Sequence, residues 1–197
     1  IYPFPNALCV VRVNGAGLAE WLERSACLFR RIDTSSSRPQ MLHDPAHPSF
    51  DFDVIDGISY AIDATRDARY DGAGSLVAPG SRRIVNLTFA GAPVREGDDF
   101  LVATNNYRAF GGGAFPGLDG GSVVFVAPEP CRDVLARYVA AHPDLDPRPD
   151  DHWRLTPFEA RLDIRFLSAP DAPEDPRWTP IERTPEGFGL FRMTAEM

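Results

Sequence analysis

Short apolar runs, separated by Gly, Pro, Asn and Asp, switch between a period of two and a period near 3.6 along this chain. Leu8-Cys9-Val10-Val11-Arg12-Val13 has the density of a buried strand. After Asn14-Gly15-Ala16-Gly17, the residues Leu18, Trp21, Leu22, Ser25, Ala26 and Phe29 fall at i, i+3, i+4 spacing, which predicts an amphipathic helix over 18–29. The Ser-, Pro- and His-rich text from Asp33 to Ser49 predicts a long loop. Phe50–Ile55 and Ile58–Ile62 bracket Asp56-Gly57, the signal of a two-residue hairpin. Arg82–Phe89 and Asp99–Thr104 predict a second strand pair joined around Gly91-Ala92-Pro93, and Ser122–Ala127 a further strand. Pro130 is placed to open a helix over 131–141 with Leu135, Tyr138 and Val139 on its inner face. Leu162–Phe166 alternates as a strand, 169–176 is expected to be loop, and Phe188–Met193 to close a sheet edge. Hairpins mixed with isolated helices predict an α+β fold of mixed β-sheets with flanking helices, not a doubly wound one.

The densest candidate chemistry is Val102-Ala103-Thr104-Asn105-Asn106-Tyr107-Arg108-Ala109-Phe110-Gly111-Gly112-Gly113. Asn tolerates left-handed backbone, and Gly lets a main chain approach a ligand closely. The stretch therefore marks Asn106, Tyr107, Gly111 and Gly112 as a strand end presenting a flat aromatic, suited to stacking on a planar ring such as a nucleobase. A hairpin corner with a core Tyr is the competing reading of the same residues. Phe4, set between Pro3 and Pro5 just before Asn6, is a second aromatic whose backbone is fixed on both sides. Two such rings could clamp a base, or Phe4 could staple the N-terminal segment to the core.

Other motifs carry less. Gly15-Ala16-Gly17-Leu18-Ala19-Glu20 has the strand-to-helix context of a dinucleotide fingerprint, but its sixth position is acidic where close packing wants Gly or Ala. A helix start with Glu20 complementing the dipole fits better. His43 and His47 are four apart, yet Pro45 between them prevents the regular helix that would align two metal ligands. Cys9, Cys27 and Cys131 cannot all pair within one chain and match no zinc spacing, so they read as buried thiols. A net charge of −8 argues against a nucleic-acid polymer, and no run is apolar enough to span a bilayer. At 197 residues there is chain enough for one sizeable core. The chain opens on Ile1-Tyr2-Pro3-Phe4 with neither Met nor a signal-type segment, so it is expected to be cut from something longer.

Taken together, Tyr2-Pro3-Phe4-Pro5-Asn6, Glu20-Trp21-Leu22-Glu23, the run from Phe50 to Tyr60, Ala68-Arg69-Tyr70-Asp71-Gly72, Arg83-Ile84-Val85-Asn86-Leu87, Val102–Ala109, Arg132–Ala136 and Trp153-Arg154-Leu155 resemble a known family. It is the C-terminal, nucleoside-binding domain of the 5′-nucleotidase superfamily. Within it, the likeness points to the bacterial 2′,3′-cyclic-nucleotide 2′-phosphodiesterase/3′-nucleotidase branch. The likeness runs from residue 2 to about 166. It implies that residues 1–197 form a single substrate-binding domain, with the base held between Phe4 and Tyr107 and with Asn6 near the base edge. Related 5′-nucleotidases read Gly-Gly-Asp-Gly after the second aromatic and use that Asp on the nucleoside; here the position is Gly113, and Asp119 is the nearby acid that could substitute.

The resemblance further implies a partner: an N-terminal metallophosphoesterase domain carrying a divalent metal pair, with no cofactor bound by these residues themselves. The predicted function is substrate recognition for a hydrolase of 2′,3′-cyclic nucleotides and 3′-nucleotides, this chain alone being inactive, in a periplasmic or secreted location. A 5′-nucleotidase-type specificity domain and a non-catalytic binding or structural module stand as the alternatives.

Overall fold

The computed structural model describes residues 3–44, 47–147, 150–159 and 162–194. Tyr2 of the first motif and Pro45 and Ala46 of the histidine run lie outside them. Strand β1 (Ala7–Asn14) enters helix α1 (Gly15–Ser25), and Asn14 caps the helix by accepting the Gly17 amide at 2.8 Å. The helix thus begins three residues earlier than its apolar stripe, and its end tightens into a 3₁₀ turn at Ala26–Leu28. Leu18, Trp21 and Leu22 are buried, and α1 packs against β1 and against β4 (Ile84–Phe89). Removing each such side chain from water is worth about 1.5–3 kcal/mol before entropy is counted.

The described strands form three sheets. In the first, β1 lies between β6 (Asp99–Asn105) and β7 (Val123–Pro130), antiparallel to both, with Leu8 opposite Asn105. The second has the order β5-β4-β3-β8, where β3 is Ile58–Ile62, β5 Ala92–Pro93 and β8 Trp153–Leu155; β3 pairs antiparallel with β4 and parallel with β8. The third has the order β10-β11-β9-β2, built from Trp178–Arg183, Gly189–Met193, Ile164–Ser168 and Gln40–Met41, with β2 parallel to β9. Helix α2 (Asn106–Ala109) follows β6 directly, and α3 (Cys131–Ala141) follows β7. The architecture is α+β with mixed sheets, as expected.

Several local expectations are corrected. Phe50–Ile55 is not a strand: Ser49–Asp51 forms one 3₁₀ turn and the rest is unpaired, so Asp56-Gly57 closes no hairpin. The cause is that both faces of this segment are used: Asp51 and Asp53 form ion pairs with Arg108, while Phe52 packs on Phe29 and Trp153. Residues 84–89 do not pair with 99–105; β4 turns back on β5 through Ala90-Gly91, and β6 joins β1. Strand β11 is interior, because β10 covers the edge that Phe188–Met193 was expected to form. The predicted inner face of α3 is open to solvent, with Leu135, Tyr138 and Val139 all exposed. Pro130 ends β7 and caps α3 without entering it.

Glu20 also has another role than complementing the helix dipole. It accepts hydrogen bonds from Arg69 Nε at 2.8 Å and from the Tyr70 hydroxyl, and pairs with Arg82 at 3.1 Å. Burial alone would raise its carboxyl, but these bonds and the Arg82 charge outweigh it and hold Glu20 below the usual carboxylate range. All three cysteines are free thiols, Cys9 buried and the others half-buried, and burial pushes each above its ordinary pKa. Among the described residues, no helix is long and apolar enough to cross a membrane.

Candidate functional site

The end of β6 is where the predicted site residues gather. Asn105 caps the single turn of α2 by accepting the Arg108 amide at 2.9 Å, which is why the chain turns helical here and forms no hairpin corner. Asn106 Oδ1 accepts the Ala7 amide at 3.0 Å, tying the segment that carries Phe4 to the turn that carries Tyr107. The Asn6 carbonyl accepts the Cys131 amide at 2.7 Å, fixing that segment from its other side. Phe4 and Tyr107 are therefore held at one end of the same sheet. Neither is in the core: Phe4 is 60% and Tyr107 47% exposed.

Tyr107 is exposed but not loosely placed. Its ring rests on Gly112, where an added Cβ would lie 2.5–2.6 Å from three ring carbons, and the Gly112 amide donates to the Tyr107 carbonyl at 2.8 Å. Beneath it, Arg108 is 3% exposed and its guanidinium lies 5.6 Å from the Tyr107 ring centre and 3.8 Å from that of Phe115. Arg108 Nη2 donates to Asp53 Oδ1 at 2.9 Å and to the Phe50 carbonyl at 3.0 Å, while Nε pairs with Asp53 Oδ2 at 2.6 Å. Nη1 donates to the Gly112 carbonyl and pairs with Asp51 at 3.4 Å. Trp21 Nε1 donates to Asp53 at 2.7 Å, and Arg24 pairs with Asp51 at 3.8 Å while donating to the Gly113 carbonyl at 2.8 Å. The glycine turn is thus hung from two buried arginines.

Arg108, Asp51 and Asp53 were missed from the sequence. A usable signal existed in Phe50-Asp51-Phe52-Asp53, where acids alternate with apolar residues in a stretch otherwise patterned for burial. Gly111 takes φ +102° and is exposed, so it serves the turn without lining a wall. Asp119 is exposed, and one of its oxygens accepts the Gly121 amide at 2.9 Å. A separate cleft of about 560 Å³, bounded by Leu18, Trp21, Asp53, Ile58, Phe89 and Phe100, has neither Phe4 nor Tyr107 in its lining. The two aromatics stand on open surface.

The glycine-rich start of α1 is not a phosphate site. Its first amides are already used: Gly15 donates to the Asp98 carbonyl at 2.8 Å, Ala16 to that of Glu96 at 3.1 Å, and Gly17 to Asn14. A Cβ on Gly15 would lie 2.0 Å from the Arg95 carbonyl oxygen, so Gly15 serves the close approach of two backbones. Gly15→Ala is expected to cost about 1–3 kcal/mol through forced backbone displacement, read as a lower urea midpoint.

His47 Nε2 lies 3.6 Å from Cys27 Sγ, which also accepts from Arg24 at 2.8 Å. That cation disfavours a metal there. Among the described residues, one trio of metal-type ligands has its atoms within 4.8 Å: Asp56, Asp150 and His152, both acids being exposed. Three such ligands do not fit a metal pair.

Residues 1–120 match the family model of the 5′-nucleotidase C-terminal domain, and the chain belongs to that family. It is 44% identical over 177 residues to the 2′,3′-cyclic-nucleotide 2′-phosphodiesterase/3′-nucleotidase of Haemophilus influenzae, covering 86% of this chain and 27% of that protein. The corresponding Salmonella typhimurium protein gives the same 44% identity over the same length. The trifunctional nucleotide phosphoesterase protein YfkN of Bacillus subtilis is 33% identical over 198 residues, which is 98% of this chain and 14% of that one. A solved structure of a Staphylococcus aureus protein assigned as a 5′-nucleotidase superposes with a TM-score of 0.59 at 25% identity, covering 78% of this chain and 28% of that one. This chain thus spans roughly a quarter or less of the curated relatives' length, in their C-terminal part.

Proposed function

We propose that this domain is the substrate-recognition part of a metal-dependent nucleotide phosphohydrolase, with the base stacked between Phe4 and Tyr107. The observation that carries the reading is a half-exposed Tyr107 seated on Gly112 and backed by a buried arginine. A half-exposed aromatic that is held from behind is pre-organised for a planar ligand at small entropic cost. The activities for which the relatives are named favour 2′,3′-cyclic nucleotides and 3′-nucleotides as substrates. Asp119, exposed, is then the acid offered to the ribose hydroxyls, and Asn6 flanks the base edge.

Under this reading, hydrolysis belongs to a metallophosphoesterase domain joined to this one in the intact enzyme, outside the cytoplasm as the resemblance implies. A divalent metal pair would supply activated water there. The residues of this chain bind and orient; no step of hydrolysis is assigned to them.

The test is a titration with adenosine and 3′-AMP, followed by amide chemical shifts and repeated with Phe4→Ala and Tyr107→Ala. Each variant is expected to weaken binding by about 1–3 kcal/mol, or roughly 5- to 150-fold, with little change in melting temperature. Unaltered affinity in both variants would reject the clamp. Loss of fold in both would favour a structural role for the rings.

A further inference from the structure

A third aromatic stands beside the proposed clamp, and no sequence signal or comparison assigns it a role. Phe110 caps α2, three residues after Tyr107, and is 57% exposed. Its amide donates to the Asn106 carbonyl at 3.1 Å, so it continues the same turn, and positions three apart on a helical turn share a face with Cβ atoms about 5–6 Å apart. The ring is held as Tyr107 is held. Gly120, at φ +95°, donates to the Ala109 carbonyl at 2.9 Å, and a Cβ there would lie 2.9 Å from Phe110 Cδ1 and 3.2 Å from Cε1.

Two neighbouring aromatics thus repeat one construction: a glycine backbone supports one side of the ring while much of the rest meets solvent. Exposing large apolar rings forgoes the stabilisation that burial would bring, and no described core contact of Phe110 offsets that loss. Set three residues on along the same turn, Phe110 borders Tyr107.

We propose that Phe110 is a specificity-determining residue of the base site, extending the aromatic platform sideways so that purines are favoured over pyrimidines. This rests on the reading of Tyr107 as a base-stacking residue. A base centred on Tyr107 reaches Phe110 only if it is wide: the second ring of a purine would meet it, and a single pyrimidine ring would not. A larger contact on one base class is a difference in affinity, which is what specificity requires.

The experiment compares adenosine with uridine, and 3′-AMP with 3′-UMP, on the full chain, using Phe110→Ala, Phe110→Leu and Phe110→Tyr beside Tyr107→Ala. The expected result is a purine-to-pyrimidine affinity ratio that falls about 5- to 10-fold in Phe110→Ala, the low end of one stacking contact, with uridine affinity nearly unchanged. Phe110→Tyr should keep the ratio. Phe110→Leu fills similar volume without an aromatic face, and should lower the ratio even if the alanine variant is poorly folded. An unchanged ratio in both variants overturns the proposal, and so does an equal loss for both nucleosides. A Tyr107→Ala variant that binds as well as the parent chain would instead sink the base-stacking reading itself, and with it this one.

Discussion

Replacing Arg108 with methionine should lower the stability of the domain by about 3–5 kcal/mol, the range for removing one partner of a buried ion pair. At this chain length that corresponds to a fall of about 6–20 °C in melting temperature. The guanidinium is 3% exposed and serves two carboxylates and two carbonyls, so its loss takes a donor from four acceptors. Asp53 would retain the indole of Trp21, and Asp51 the more distant Arg24 at 3.8 Å. Methionine fills the space over Phe115 but donates nothing. Lysine should rescue little, because a point charge cannot reach groups that a planar fork engages in several directions. Equilibrium urea unfolding of the three proteins is the measurement, and a loss below about 1 kcal/mol would class the pair with weak surface bridges. The folded fraction of Arg108→Met should also bind nucleoside more weakly, since Gly112 and the Tyr107 ring above it lose their anchor.

This network marks the boundary of what could be read from the sequence. The strand-to-helix unit of β1 with α1 was legible from its periodicity; at β6 the strand end presenting Tyr107 was legible, but not the helical turn of α2 that carries it. The two-residue β2 and three-residue β8 carry no local signal, because each exists only through parallel pairing with a distant segment. In β10, Pro180 argues against a strand, and the fold accommodates it by placing β10 at a sheet edge. Phe50–Ile55 misled for a different reason: alternating Phe and Asp imitates a half-buried strand, whereas the buried side carries ion pairs. Charged side chains are normally assigned to the surface. Arg108 was invisible as a site residue because its partners Asp51 and Asp53 lie 57 and 55 positions away. The ring could be found locally. Its support could not.

The same support explains Gly113, and yields the second large effect. The resemblance implies an Asp at this position in related 5′-nucleotidases, yet Gly113→Asp in this chain should destabilise it by about 2–5 kcal/mol, summing backbone strain and overpacking. Gly113 has φ +76°, which Asp tolerates better than most residues but still at some cost. The larger obstacle is space: a Cβ here would lie 2.2 Å from Arg108 Nη1 and 2.3 Å from Asp51 Oδ1. A new carboxylate would also face that of Asp51, with the guanidiniums of Arg24 and Arg108 already engaged. Asp51 and a side chain at position 113 therefore compete for the same place beside Arg108. If so, Asp51→Ala, destabilising on its own, should be far less so in the Gly113→Asp background, where the introduced carboxylate takes over the pairing. A coupling of about 0.5–3 kcal/mol between the two substitutions is expected, measured by urea unfolding of the parent, both single variants and the double. Strictly additive losses would show that the two positions do not exchange this role, and that the missing Asp has a cause other than Asp51.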